Sequence, residues 1–335
     1  MARTIRFHEI GGPEVMRLED VDPGRPGPGE VLIRVEAIGV NRAEALFRSG
    51  SYIEPVRKLP ARLGTEAAGV VEALGPGVNR FEEGQAVSVV PSFSANDYGV
   101  YAERAVVPAA ALVHRPDGVD AVTGAAVWMP YVTAYGALVE VGGMRAGDTV
   151  VLNAASSGVG LAAVHTANRV GATPIAVTRT RAKARRLLDE GAAEVIVAAE
   201  TDVPRRVLAL TGGRGAEFVF DAVAGPGVAE LARAVAPGGT HFLYGGLSGL
   251  PFAYPGFDLG MPAWNLRTYT MLETTRDPER LRRAAAFVTS GLRGGAFRPV
   301  IDRLFPLEEI VQAHRHMDSG DQFGKIVVTV RPGAS

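Results

Sequence analysis

Apolar and polar positions alternate almost from the start of the chain. Segments 4–10, 16–21, 30–40, 69–74, 85–90 and 100–114 are β-branched or switch polarity at each step, the two-residue period of a strand. Pro and Gly clusters separate them, at Gly11-Gly12-Pro13, 23–29 and Gly75-Pro76-Gly77. The pattern predicts an all-β barrel or sandwich, interrupted by one short helix over 41–48. Near Asp120 it changes. Short apolar strands at 149–153, 174–178, 194–197, 218–221, 241–244 and 268–272 alternate with helical segments at 160–170, 182–190, 203–210 and 228–235. Strands covered on both faces by crossover helices make a parallel, doubly wound sheet. The tail is mixed, with amphipathic helices over 278–290 and 307–317 and a closing strand over 325–330. It is short for a domain and is expected to pack back onto the N-terminal barrel.

Length and charge narrow the picture. The 335 residues suit two domains rather than one core. A formal net charge of −1 gives no reason to expect nucleic acid or an anionic membrane as partner. No apolar run is long enough to span a bilayer, and no signal-peptide core opens the chain, so a cytoplasmic location is expected. There is no cysteine, which excludes disulfides, iron–sulfur clusters and thiolate zinc sites.

The densest local signal is Leu152-Asn153-Ala154-Ala155-Ser156-Ser157-Gly158-Val159-Gly160, between a buried strand and a helix. It departs from strict G-x-G-x-x-G: Ala155 and Ser157 replace the first two glycines, and Gly160 keeps the third. Small side chains still let the backbone approach a pyrophosphate, and the helix start supplies N–H groups. The next strand ends in Thr178-Arg179-Thr180-Arg181-Ala182-Lys183. No carboxylate stands there to bond a ribose 2′-OH. Hydroxyls and cations do, with Arg179 and Lys183 foremost, and they favour NADPH over NADH. Asp221-Ala222-Val223-Ala224-Gly225 and Tyr244-Gly245-Gly246-Leu247-Ser248 end later strands, where a doubly wound sheet meets its ligand. Backbone groups around Val223, Ala224, Tyr244, Gly245, Leu247 and Ser248 are expected to hold ribose and carboxamide.

Several stretches resemble the zinc-free, quinone oxidoreductase-like branch of the medium-chain dehydrogenase/reductase superfamily. They are 39–44 (Gly-Val-Asn-Arg-Ala-Glu), 63–71, 133–138, 155–160 and 324–328, in the family's order. The resemblance implies a mixed α/β fold. A GroES-like β-barrel catalytic domain would be formed by 1–122 and 274–335. A Rossmann NADPH-binding domain, 123–273, with a doubly wound parallel six-stranded sheet would be inserted in it. The resemblance also implies where zinc would sit: related zinc enzymes keep a cysteine near Asn41 and a histidine at the position of Thr65. Neither ligand is present. His314 and His316, two apart on a helix, do not face one another.

Without a metal, hydride transfer suits electron-poor acceptors: quinones and α,β-unsaturated carbonyls. In the resembled branch Asn41 lies beside nicotinamide and substrate, where its amide would donate to a developing oxyanion. The sequence also supports Asn41 as a helix N-cap. Tyr52 follows in the loop, either as a hydroxyl for the carbonyl or as a half-buried structural tyrosine. Trp128 and Tyr131 wall the substrate pocket or simply pack. Thr133 contacts the nicotinamide by resemblance. Lys325 matches a basic position that contacts phosphate, or is an exposed lysine at a strand start. Glu66 is given at most a structural role. The expectation is an NADPH-dependent, zinc-independent quinone or enone reductase, homodimeric, acting on a small molecule, with no metal. The alternatives are an enoyl-thioester reductase using Arg57 and Lys58, and a non-catalytic NADPH-binding, crystallin-like protein.

Overall fold

A computed structural model describes residues 1–261 and 263–330. The chain divides into two compact units, 1–129 with 285–335 and 130–284. The strands of the first unit are β1 (Ala2–Phe7), β2 (Met16–Val21), β3 (Glu30–Gly39), β4 (Ala61–Arg62), β5 (Ala67–Leu74), β6 (Ala86–Val89), β7 (Arg104–Pro108) and β8 (Leu112–His114). Those of the second are β9 (Thr149–Leu152), β10 (Thr173–Thr178), β11 (Glu194–Val197), β12 (Ala216–Asp221), β13 (Val235–Leu243) and β14 (Asn265–Thr268). The tail returns β15 (Ile301–Pro306) and β16 (Lys325–Thr329) to the first.

In the first unit β2-β1-β4 form a small sheet. A larger one runs β15-β16-β3-β5-β6-β8, with β7 also on β3. The tail enters through β16, which pairs antiparallel with β3 and sets Val327 opposite Gly39. Alternation decides which residues turn inward: Val31, Ile33 and Val35 of β3 are buried, while Leu32 and Arg34 are not. The core they enter also holds Phe7, Phe47 and Tyr101 from this end of the chain and Ile310, Met317 and Val328 from the other.

The second unit is one parallel sheet of order β11-β10-β9-β12-β13-β14. Order reverses between β9 and β12, the point where such sheets place ligands. β9 is buried at every residue, as a strand covered on both faces must be.

The structure corrects some boundaries. The strand expected over 100–114 is two strands, split by a 3-10 turn at Ala109–Ala111. The last parallel strand is Asn265–Thr268, not 268–272, and Leu272–Thr275 is helical. Tyr269 and Met271 carry the apolar signal because they are buried beyond the strand end, Tyr269 edge-on to Phe242 at 6.4 Å. β15, with Asp302 and Arg303 inside it, shows no clean alternation and was not expected.

Candidate active site

In the second unit, β9 runs into a turn whose Ala154 has φ 54°. Ser157 then caps the helix Gly158–Val170, its hydroxyl accepting the Gly160 N–H at 3.0 Å. A Cβ on Gly160 would lie 2.5 Å from the Ala155 carbonyl oxygen, so only glycine lets helix and turn pack this closely. Residues 156–159 remain half-buried at a helix start whose first N–H groups have no partner within the helix. The turn and the helix start form a cradle of small side chains and backbone N–H groups.

The ends of β12 and β13 are tied to it. Asp221 accepts from Asn153 Nδ2 (2.9 Å), Val223 N (2.7 Å) and Ala224 N (3.2 Å), and its second oxygen faces His241 Nε2 at 3.3 Å. Burial pushes the Asp221 carboxyl up, but the His241 and backbone hydrogen bonds outweigh it and hold it below the usual range. Leu247 N and Ser248 N donate to the carbonyls of Ala222 and Val223, both at 3.0 Å. Tyr244 stacks on Phe220 at 3.9 Å. The structure thus brings Ala155–Gly160, Val223, Ala224, Tyr244, Gly245, Leu247 and Ser248 to one end of one sheet.

At the tip of β10, Thr178 donates its hydroxyl to the Thr180 carbonyl at 3.2 Å. Arg181 is paired with Glu200. Arg179 is exposed and has neither ion pair nor side-chain hydrogen bond among the described residues. Lys183 is partly exposed on the short 3-10 turn that follows. Thr133 is buried, its hydroxyl 3.7 Å from Met271 Sδ.

The first unit holds a second polar cluster. β3 ends at Gly39, and Asn41 starts the helix Arg42–Arg48. A Cβ on Gly39 would lie 2.1 Å from the Ala125 carbonyl oxygen and 2.5 Å from Glu66 Oε2. Glu66 is fully buried. One oxygen accepts Met129 N–H at 2.8 Å, and the other accepts Lys325 Nζ at 2.6 Å and Asn41 Nδ2 at 3.1 Å. Lys325 also donates to Asn41 Oδ1. The remaining Asn41 amide hydrogen goes to the Gly39 carbonyl at 3.2 Å. Each charge is paired and hydrogen-bonded, the condition under which buried ions are tolerated. Glu44, also buried, accepts from Asn41 N at 2.9 Å and from the Thr65 hydroxyl at 2.9 Å. Burial pushes its carboxyl up to about 7.

Lys325, considered as an exposed lysine at a strand start, is 4% exposed and ion-paired. Both Asn41 amide hydrogens are engaged, so donating to a substrate requires one bond to open. Tyr52 is half-buried, edge-on to Phe47 at 6.4 Å. Trp128 and Tyr131 are 1% and 2% exposed, and the Tyr131 hydroxyl meets His165 Nδ1 at 2.7 Å. Sequence reasoning gave Glu66 at most a structural role, in keeping with its buried anchoring contacts, and passed over Glu44. A signal existed for Glu44: Asn41 and Glu44 have the spacing of a capping box.

Residues 27–117 match the family model of an alcohol dehydrogenase GroES-like domain, and 190–328 that of a zinc-binding dehydrogenase. A quinone oxidoreductase of Pseudomonas aeruginosa is 35% identical over 332 residues, covering 98% of this chain and 99% of that one. The human quinone oxidoreductase is 30% identical over 331 residues, covering 98% of each. The chain belongs to the quinone oxidoreductase branch of the medium-chain dehydrogenase/reductase superfamily. A solved member of that branch, Escherichia coli quinone oxidoreductase complexed with NADPH, superposes with a TM-score of 0.91 over 98% of this chain and 100% of its own, at 27% identity. The mixed α/β class, with a GroES-like part and a Rossmann six-stranded sheet, is as the quinone oxidoreductase resemblance implied. Although the second family model is described as zinc-binding, this branch member has no cysteine, and Thr65 bonds Glu44.

Proposed function

We propose that the chain is an NADPH-dependent reductase that passes hydride, without zinc, to a quinone or to the activated C=C bond of an α,β-unsaturated carbonyl. The observation that carries this reading is the tip of β10: no carboxylate, and an exposed Arg179 that has no ion pair or side-chain hydrogen bond among the described residues, in the same sheet as the tight β9 turn and its helix start. The E. coli relative complexed with NADPH supports it. When bound, NADPH supplies the hydride. Ala155–Gly160 would hold the pyrophosphate, Thr178, Arg179 and Lys183 the 2′-phosphate, and the turns after β12 and β13, with Thr133, the ribose and nicotinamide.

Zinc independence rests on the donor set. Where the resembled zinc enzymes keep metal ligands, Asn41 and Thr65 are bound up with Glu66, Lys325 and Glu44, and the Lys325 ammonium already supplies a positive charge on Asn41. We assign Asn41 to holding that ammonium and, by opening one amide bond, to donating to the acceptor oxygen, with the Tyr52 hydroxyl as second donor. Lys325 reaches a cofactor phosphate only by leaving Glu66. Arg57 is tied to Asp97 at 2.9 Å and to Ser94 at 3.1 Å, which weakens the enoyl-thioester reading. Among the described residues no helix is long and apolar enough to cross a membrane. We further infer a homodimer through β14.

The test is a panel of quinones, enones and enoyl thioesters with each nicotinamide cofactor, beside metal analysis. The expected result is quinone- or enone-dependent oxidation of NADPH, with C4-deuterium passing to the enone carbon. No turnover on any acceptor defeats the reading. About one zinc per chain, with activity lost to a chelator, defeats its metal-free part.

A further inference from the structure

The cluster in the first unit contains a carboxyl for which the reading above has no use. Glu44 is buried on the first turn of the helix Arg42–Arg48. One oxygen takes the Asn41 N–H, and the other takes the Thr65 N–H at 3.2 Å and the Thr65 hydroxyl at 2.9 Å. Asn41, Glu44, Glu66 and Lys325 are all buried, while Thr65 is partly exposed. Thr65 is thus the most exposed member of the network, and its hydroxyl donates to an acid that, among the described residues, has no cation in hydrogen-bond contact.

The groups around Glu44 come from several elements. Lys325 stands at the start of β16 and Glu66 just before β5. Tyr101 precedes β7, its phenol beside His314 Nε2 at 3.2 Å, with the Arg48 guanidinium also near it. Lys325 is already committed to Glu66 and Asn41. Burial raises the Glu44 carboxyl most. The Thr65 hydrogen bond and Lys325 act against it, and Glu66 adds to it, which leaves the group poised near neutrality.

We propose that Thr65 and Glu44 deliver the proton that completes reduction of the acceptor, a step that rests on the hydride-transfer reading above. Hydride addition brings two electrons to the acceptor and leaves its oxygen anionic. With a proton on Glu44 Oε1, that oxygen donates to Thr65 Oγ1, and the Thr65 hydroxyl hydrogen is free to turn outward. It passes to the anionic oxygen as the Glu44 proton passes to Thr65 Oγ1. The acceptor ends as a neutral hydroquinone or enol, Thr65 is a hydroxyl again, and Glu44 is a carboxylate. Glu44 then takes a proton from water through the same hydroxyl. No second redox partner is needed.

The experiment reads the carboxyl first and turnover second. Infrared titration of the substrate-free enzyme is expected to show a buried carboxyl C=O stretch that is lost as pH rises through about 7. That stretch is absent from Glu44→Gln and shifted in Thr65→Val. With a quinone, kcat falls as pH rises through the same point and slows in deuterium oxide. Thr65→Val loses about 10²-fold in kcat with NADPH affinity kept, the usual scale for a lost acid catalyst. Thr65→Ser restores most of it, which a merely structural methyl contact does not explain. If Glu44→Gln does not fold, Thr65→Val, which removes no charge, carries the test. The proposal is overturned by a Glu44 carboxyl already ionised well below neutrality, or by a Thr65→Val enzyme with wild-type kcat and pH profile. A wild type without turnover on any acceptor defeats the hydride-transfer reading and this delivery step together. A wild type that turns over with unchanged variants defeats only the delivery step.

Discussion

Arg179 and Glu44 are the residues on which single substitutions should speak most clearly. Arg179→Ala removes the charge-assisted hydrogen bond proposed to the cofactor 2′-phosphate, a bond of a kind worth roughly 1.5–3 kcal/mol. It is expected to weaken NADPH by about ten- to a hundred-fold and leave NADH nearly untouched, read by fluorescence titration with each cofactor. Equal loss for both would move the 2′-phosphate elsewhere. Glu44 bears on stability. Its folded carboxyl is raised to about 7 against an ordinary value of 4.5. The folded state therefore holds the proton more tightly, and the stabilisation is full below 4.5 and lost as pH rises through 7. The difference is about 3 kcal/mol at most. Glu44→Gln keeps a neutral side chain at every pH, so its urea midpoint is expected to fall less than that of the wild type between those limits. A parallel decline in both proteins would assign the loss to other groups. The expectation for Arg179 came from a missing acid, which is visible in a short motif. Glu66 and Lys325 lie 259 positions apart, and their pairing depends on β16 reaching β3, which no local pattern states.

The element that matters most is β9 with its turn and the helix Gly158–Val170. Its strand–turn–helix context could be read despite two lost glycines, because buried strand, small residues and helix start follow one another directly. Gly160 is the position that admits no side chain: the nearest atom is backbone, which cannot rotate away. Gly160→Ala is expected to cost about 1–3 kcal/mol, the usual range for overpacking, and to weaken NADPH by tilting the cradle. Thermal melting and cofactor titration check the two effects separately, and an unchanged melt would mean the helix slides without strain. Elements whose burial follows their sequence pattern, such as β11 and the helix Val203–Leu210, matched expectation to the residue. Elements defined only by their neighbours did not. β14 is Asn-Leu-Arg-Thr, mostly exposed, and a strand of that kind has no apolar face to announce it. The more apolar 269–272 stretch drew the assignment instead.

At the scale of the molecule, the mostly exposed β14 leaves a second difficulty. It is the last strand of the parallel sheet and, among the described residues, pairs only with β13. An open edge of this kind invites pairing with another chain. Nearby in sequence, Leu247, Leu250, Phe252, Tyr254, Phe257 and Met261 are all exposed, Phe257 at 88%. Lone apolar side chains on a surface are ordinary, but six exposed within the fifteen residues 247–261, just before the edge strand in sequence, suit a contact better than a solvated loop. A second copy related by a twofold axis meets both needs with one surface, because an isologous contact pairs the edge with itself and covers the apolar segment on both chains. Light scattering at micromolar concentration is therefore expected to give twice the 35.2 kDa chain mass. Phe257→Asp combined with Leu250→Asp places a buried charge on each side of the axis and is expected to return the mass to that of one chain, with Arg179 and the β9 turn still binding NADPH. A wild type that stays monomeric refutes the dimer. A variant that stays dimeric moves the contact off this segment and leaves β14 alone to carry it.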